Sequence, residues 1–164
     1  MKRLILMRHA KSSWGEPELS DHARPLNGRG KRSAEALGDW LRQRDFTPDQ
    51  ILSSSSTRTR ETFAKLGLNG DVQWLDRLYH ADPDDILRAL RQATGQTVLV
   101  LGHNPGIAEF AQDIVEKAPD HPRFGDYPTG ATLVAEFDID DWSLLETCTG
   151  NPLDFVVPRD LTGD

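Results

Sequence analysis

Apolar runs of strand length alternate with helix-period segments along this chain, and that alternation limits its fold more than any other feature. Leu4 to Met7, Ile51 with Leu52, Val72 to Leu75 and Val98 to Leu101 are the strand-length runs. Between them, residues 28–44 place Ala34, Leu37, Trp40 and Leu41 on one face, with Asn27 as N-cap and Pro48 shortly beyond the end. Residues 58–66, 83–93 and 106–117 make three more helices, with Pro83 and Pro105 near the starts of the last two. A βαβαβαβα order predicts an α/β fold on a mostly parallel sheet. Gly130 to Phe137 and Trp142 to Thr149 then alternate like the strands of a hairpin across Asp138 to Asp141, which adds antiparallel character at the end of the sheet. Residues from Pro158 onward are expected to fray.

With 164 residues, 37% hydrophobic and 27% charged, the whole chain, 1–164, is expected to form one domain. Nineteen Lys and Arg against 26 Asp and Glu leave a formal charge of −7, which argues against non-specific binding to nucleic acid or anionic membranes. An anionic ligand must therefore be captured by a local basic cluster. Met1-Lys2-Arg3 precede only four apolar residues, too few for a signal-peptide core. Cys148 is the single cysteine, which fits a reducing compartment, and a cytoplasmic location is expected.

Ligands of open α/β sheets bind beyond the carboxyl ends of the strands. The first strand ends in Arg8-His9-Ala10-Lys11-Ser12-Ser13, the second in Ser53 to Arg60, and the fourth in Gly102-His103-Asn104-Pro105. Guanidinium groups bind phosphate oxygens bidentately, hydroxyls and helix-start N–H groups add neutral donors, and a neutral imidazole can attack phosphorus without a strong base. A second histidine, protonated by a bound dianion, would neutralise charge on the transferring group. Together these residues describe phosphoryl transfer through histidine. The five histidines, at 9, 22, 80, 103 and 121, show no His-x-x-x-His spacing, and no nucleotide-binding P-loop appears. Taken alone, His9 reads as a strand-end histidine satisfied by backbone; with Arg58 and His103 in register the functional reading prevails.

Arg8-His9 after a first strand, Ser54-x-x-x-Arg58-x-x-Glu61-Thr62 after the second, and Gly102-His103-Asn104-Pro105 after a later one resemble the histidine phosphatase superfamily. Within it, the short length and Arg8-His9-Ala10-Lys11-Ser12 are most similar to SixA-type phosphohistidine phosphatases. The resemblance implies a phosphoglycerate mutase-like three-layer sandwich with a mixed sheet, no cofactor and no metal. It implies that His9 is the nucleophile and that Arg8, Arg58 and His103 hold the phosphoryl oxygens. Ala10, Ser55-Ser56 and Glu61 depart from residues common in the family, which are glycine, Pro-Leu and glutamine.

Larger members carry a carboxylic acid after the third strand that protonates the leaving group; Asp76 stands near that place, with Asp82 following. An aspartate beside Arg77 should stay ionised and donate poorly. A phosphohistidine substrate relaxes the need, because imidazole, with a conjugate-acid pKa of ~6.5, leaves more readily than an alkoxide. Only roughly twenty residues, Asp76 to Gln96, separate the third and fourth strands, which leaves little to build a lid. An open pocket admits a side chain of another protein.

The expected function is therefore removal of phosphate from a phosphohistidine-containing protein, with inorganic phosphate as product and no nucleic-acid or membrane partner. A phosphatase for a small phosphate ester using Asp76 or Asp82 as acid, and a non-catalytic phosphoprotein-binding domain, are the alternatives. Lys11 and Ser12 are candidate phosphate ligands, and Arg24 either covers the pocket mouth or anchors its loop. Cys148 is expected to be a buried small hydrophobe, the four tryptophans to pack in core or loops with Trp14 near the substrate approach, and His22, His80 and His121 to be loop histidines.

Overall fold

In the computed structural model, which describes residues 1–163, the first apolar run is the centre of β1 (Lys2–Arg8), and Leu4, Ile5, Leu6 and Met7 have no exposed surface. A strand buried on both faces needs a layer against each. Leu4 and Leu6 pack on one side with Ile86, Leu90, Ile107 and Phe110 of α3 (Pro83–Arg91) and α4 (Gly106–Ile114). Ile5 and Met7 pack on the other with Leu37, Leu41 and Leu66 of α1 (Gly28–Gln43) and α2 (Thr57–Leu66). Each such aliphatic side chain withdrawn from water contributes about 1.5–3 kcal/mol.

The remaining strands are β2 (Gln50–Ser54), β3 (Asp71–Leu75), β4 (Thr97–Gly102), β5 (Thr132–Phe137) and β6 (Asn151–Val156). They form one sheet in the order β3-β2-β4-β1-β5-β6, parallel from β3 to β1 and antiparallel at β5 and β6. The expected mixed α/β sandwich is what the chain forms. Its register matters for the site: Arg8 lies opposite Gly102 on β4, and Ser53 of β2 opposite Leu101. The segments that follow β1, β2 and β4 therefore leave the sheet side by side.

Local signals explain the helix boundaries. Asn27 caps α1, its side-chain oxygen accepting from the Gly30 N–H at 2.8 Å. Ser56 caps α2, which ends at Gly67 in the left-handed region (φ 66°). Asp82 and Asp85 form a reciprocal capping box at the start of α3.

Three expectations need correction. The segment 142–149 is no strand: Trp142–Leu144 is a 3₁₀ turn, and the fully buried Trp142 donates its indole N–H to the Gly95 carbonyl at 2.7 Å. The pairing strand is β6, seven residues beyond Leu144, and Pro152 is tolerated there because β6 is the sheet edge. Cys148 is exposed in a left-handed conformation (φ 60°), its N–H bonded to the Asp113 carbonyl at 2.8 Å, so it is not a buried hydrophobe. Where fraying was expected, α5 (Pro158–Thr162) forms and Leu161 packs against the α1 and α2 side of the core. Among the described residues no helix is long and apolar enough to cross a membrane.

Candidate active site

His9 follows β1 directly and is 5% exposed. Its backbone N–H still bonds the Gly102 carbonyl (3.1 Å), continuing the parallel ladder by one residue toward His103. The next residue is tied to α2: Ala10 N–H donates to Thr62 Oγ1 (3.1 Å), which donates in turn to the Arg58 carbonyl (2.7 Å). Gly130, with φ 77°, closes the other side by donating its N–H toward the Arg8 and His9 carbonyls. The ring is oriented by its own neighbour. His9 Nδ1–H donates to the Ala10 carbonyl at 2.7 Å, which leaves the Nε2 lone pair for chemistry.

The parallel register brings the other expected residues to this ring. His103 lies with its ring centroid 5.1 Å from that of His9, and Arg58 directs Nε at His9 Nε2 at 3.4 Å. Arg8 donates Nη1–H to the Tyr127 carbonyl (3.2 Å), while its Nε has no partner among the described residues. His103 Nε2 meets Ser54 Oγ at 2.8 Å, and its buried Nδ1 is likewise without a protein partner. These two nitrogens are polar groups that an oxyanion could satisfy.

The serine run that departs from the family's common residues has a separate task for each member. Ser54 holds His103, Ser56 caps α2, and Ser55 donates to the carboxylate of Asp76 while accepting from His22 Nε2–H (3.0 Å). Asp76 opens a 3₁₀ turn (Asp76–Leu78) after β3, and it is exposed and spent on Ser55. It is not among the residues lining the cleft at His9.

That cleft, about 330 Å³, has His9, Arg8, Arg58 and His103 in its wall together with Lys11, Ser12, Trp14 and Arg24. Arg24 is 9% exposed and anchors the loop: its Nε donates to the Ser13 carbonyl (3.1 Å), Nη2 to Ser12 Oγ, and Nη1 to Asp21 (2.9 Å). Trp14 is 79% exposed and lies under the Arg24 guanidinium, 3.3 Å from its ring centroid, so it lines the approach rather than the core.

Sequence reasoning missed Asp21. Its carboxylate and carbonyl both accept from Arg58, at 3.0 and 2.7 Å, and the carboxylate also takes the Arg24 bond and one from the Tyr79 hydroxyl. The Tyr79 hydrogen bond first, then Arg24 and Arg58, hold this carboxyl well below the usual aspartate range. The one available signal was the i,i+3 spacing of Asp21 and Arg24 in an otherwise uninformative loop. Tyr79 also packs edge-on to His103 and His22 and stacks beside His80, so two of the loop histidines pack on the tyrosine that flanks His103.

Burial dominates the electrostatics. Desolvation, reinforced by the Arg8, Arg58 and Arg24 cations, pushes the His9 imidazole down to about 3 against the opposing Ala10 hydrogen bond. Desolvation, with His9 and Arg58, pushes His103 down to about 2. Both rings are therefore neutral at pH 7. For His9 that is the nucleophilic form; His103 can become cationic only when an anion is bound beside it.

A chain with this site has recognisable relatives. An uncharacterized protein of Mycobacterium leprae is 32% identical, over 93% of this chain and all of that one. A candidate phosphohistidine phosphatase SixA from Nakamurella multipartitia superposes with a TM-score of 0.85 at 29% identity, covering 96% of each chain. Another from Agrobacterium tumefaciens gives 0.78 at 28%, covering 96% of this chain and 98% of that one. The model of the histidine phosphatase superfamily (branch 1) matches residues 4–84, the stretch that supplies Arg8, His9 and Arg58. With the sheet order and the paired histidines, these likenesses establish that the chain belongs to the histidine phosphatase superfamily and is of the SixA type.

Proposed function

We propose that this protein removes phosphate from phosphohistidine on another protein, in the cytoplasm and without a metal ion, through a phospho-His9 intermediate. His9 Nε2 attacks phosphorus while Arg8, Arg58 and His103 hold the three phosphoryl oxygens, with Lys11 and Ser12 at the mouth. The P–N bond of the substrate breaks and its imidazole leaves with a proton taken from solvent. Water then attacks phospho-His9, releasing inorganic phosphate and restoring neutral His9.

The supply of protons carries this choice of substrate. Asp21 is the single carboxylate in the wall of the cleft among the described residues, and Tyr79, Arg24 and Arg58 keep it ionised. An alkoxide expelled beside it would find no carboxylic acid in that wall to protonate it, Asp82 and Glu109 standing in the neighbouring cleft, whereas imidazole, with a conjugate-acid pKa of ~6.5, needs no donor of comparable strength. Asp76, bonded to Ser55, is left out of this reading.

The test is a rapid-quench experiment with a phosphohistidine-bearing protein and a generic aryl phosphate, stopped in alkali and analysed for acid-labile phosphate on His9. Label on His9 with faster turnover of phosphohistidine is the expected result. Label from the ester alone would replace this reading with a small-molecule phosphatase, and binding without label or turnover would replace it with a phosphoprotein-binding domain.

A further inference from the structure

Beside the His9 cleft lies a second one of about 360 Å³, and Lys11 and Thr129 belong to the walls of both. Its remaining cations are Arg29 at the start of α1, Arg123 from the loop before β5, and Arg159 of α5. Four cations around one groove stand out on a chain whose formal charge is −7. Arg123 is ion-paired with Asp126 at 2.9 Å, but no carboxylate among the described residues pairs with Lys11 or Arg159. Asp160, next to Arg159, is bonded to His121 and the Val157 N–H.

Arg29 occupies the first turn of α1, which holds no acidic residue. The opposite flank of the His9 cleft has the reverse character: the neighbouring cleft of about 370 Å³, which shares Asp21, Arg58 and His103, adds Asp82 and Glu109. The catalytic pocket thus sits between a basic groove and an acid-bearing one.

We infer that the groove of Lys11, Arg29, Arg123 and Arg159 is a docking site for acidic side chains of the phosphoprotein substrate, which it steers and orients so that the phosphohistidine enters at His9. This inference rests on the proposed phosphohistidine activity. Two features support a protein partner over a small anion. The groove is open, and it continues into the catalytic cleft through Lys11 and Thr129, so residues flanking the modified histidine reach it while the phosphoryl group is bound. On a chain of net negative charge, a local basic groove acts as an orienting device for an acidic partner.

The test uses synthetic phosphohistidine peptides flanked by glutamates or by glutamines, with wild type and the double variant Arg29→Glu/Arg159→Glu. Both positions are exposed, and a glutamate in the first turn suits the α1 dipole, so the variant should fold. For the glutamate peptide kcat/KM should fall about tenfold, mostly through KM, and 0.5 M salt should erase the difference. Turnover of the glutamine peptide and of p-nitrophenyl phosphate should not change. Equal losses on both peptides, or no loss on either, overturn the inference. In parallel, fluorescence anisotropy with the unphosphorylated glutamate peptide should show weaker binding to the variant. That arm separates the two readings: if wild type cleaves no phosphohistidine the proposed function fails, while equal binding of this peptide by wild type and variant rejects the groove.

Discussion

Arg58 directs both terminal nitrogens of its guanidinium at Asp21, Nη2 to the carboxylate at 3.0 Å and Nη1 to the carbonyl at 2.7 Å, and only its Nε faces His9. A phosphoryl group at His9 therefore meets a cation that is held in place but partly neutralised by a carboxylate a few ångströms away. Replacing Asp21 by Asn removes the repulsion and loosens the clamp. Inorganic phosphate should inhibit the Asp21→Asn variant at several-fold lower concentration, while kcat for an aryl phosphate falls about tenfold because Arg58 is less well oriented. Steady-state kinetics with phosphate as inhibitor measures both. Weaker phosphate inhibition would mean that Asp21 aids anion binding rather than opposing it.

Ser54 Oγ is 2.8 Å from His103 Nε2, and Ser56 Oγ is farther, at 3.4 Å. Ser54 is fully buried at the end of β2, so Ser54→Ala removes the nearer partner of the ring without opening the surface. Global stability should drop by about 1 kcal/mol, and kcat by about tenfold with little change in KM, since the ring loses orientation rather than charge. Denaturant unfolding and aryl phosphate kinetics on one preparation distinguish this from simple unfolding.

The grouping of the candidate residues was legible because they sit at the ends of parallel strands, where the order of the chain alone brings Arg8-His9, Ser54 to Arg58 and Gly102-His103 to one rim. Asp21 was not, because the path of residues 12–26 depends on Arg24 reaching Ser12, Ser13 and Asp21 across the loop, contacts that no local pattern encodes. The last strand was misplaced for a different reason. Residues 142–149 alternate in polarity as a strand does, yet Trp142 is drawn into the core by its hydrogen bond to Gly95, and Pro152 obscures the strand that does pair. Edge strands lose least by containing proline, so their sequence signal is weakest.

Tyr127 links the core to the site. Its hydroxyl is fully buried, donates to the Leu6 carbonyl of β1 and accepts from the Leu133 N–H of β5 at 3.1 Å. Its carbonyl accepts from Arg8 Nη1 at 3.2 Å and from Asn104 Nδ2 at 3.0 Å. Tyr127→Phe leaves a buried carbonyl and a buried N–H without the hydroxyl between them, and should cost about 1–3 kcal/mol in urea unfolding. Because the main-chain contacts survive, kcat under native conditions should change less than twofold, about 0.4 kcal/mol. A large loss of kcat with unchanged stability would reverse that assignment.

The buried imidazoles make stability depend on pH in a defined direction. His9 is pushed down to about 3 and His103 to about 2, whereas both titrate near 6.5 in the unfolded chain. Between those values the unfolded state binds protons that the folded state refuses, so the contribution is fully present above pH 6.5 and is lost as pH falls toward 3. Each ring adds a slope of up to about 1.4 kcal/mol per pH unit in that window. Asp21, also depressed, adds loss of the same sign only below the usual aspartate range. Urea midpoints measured from pH 7 to pH 4.5 should fall steadily for the wild type. The His9→Gln/His103→Gln variant, which has neither ring to protonate, should show a flatter profile. Saturating inorganic phosphate should flatten the wild-type profile too, because a bound anion favours the cationic form of His103 and raises its pKa. Parallel profiles for wild type and variant would show that other groups govern the acid limb and that these two rings are not held neutral.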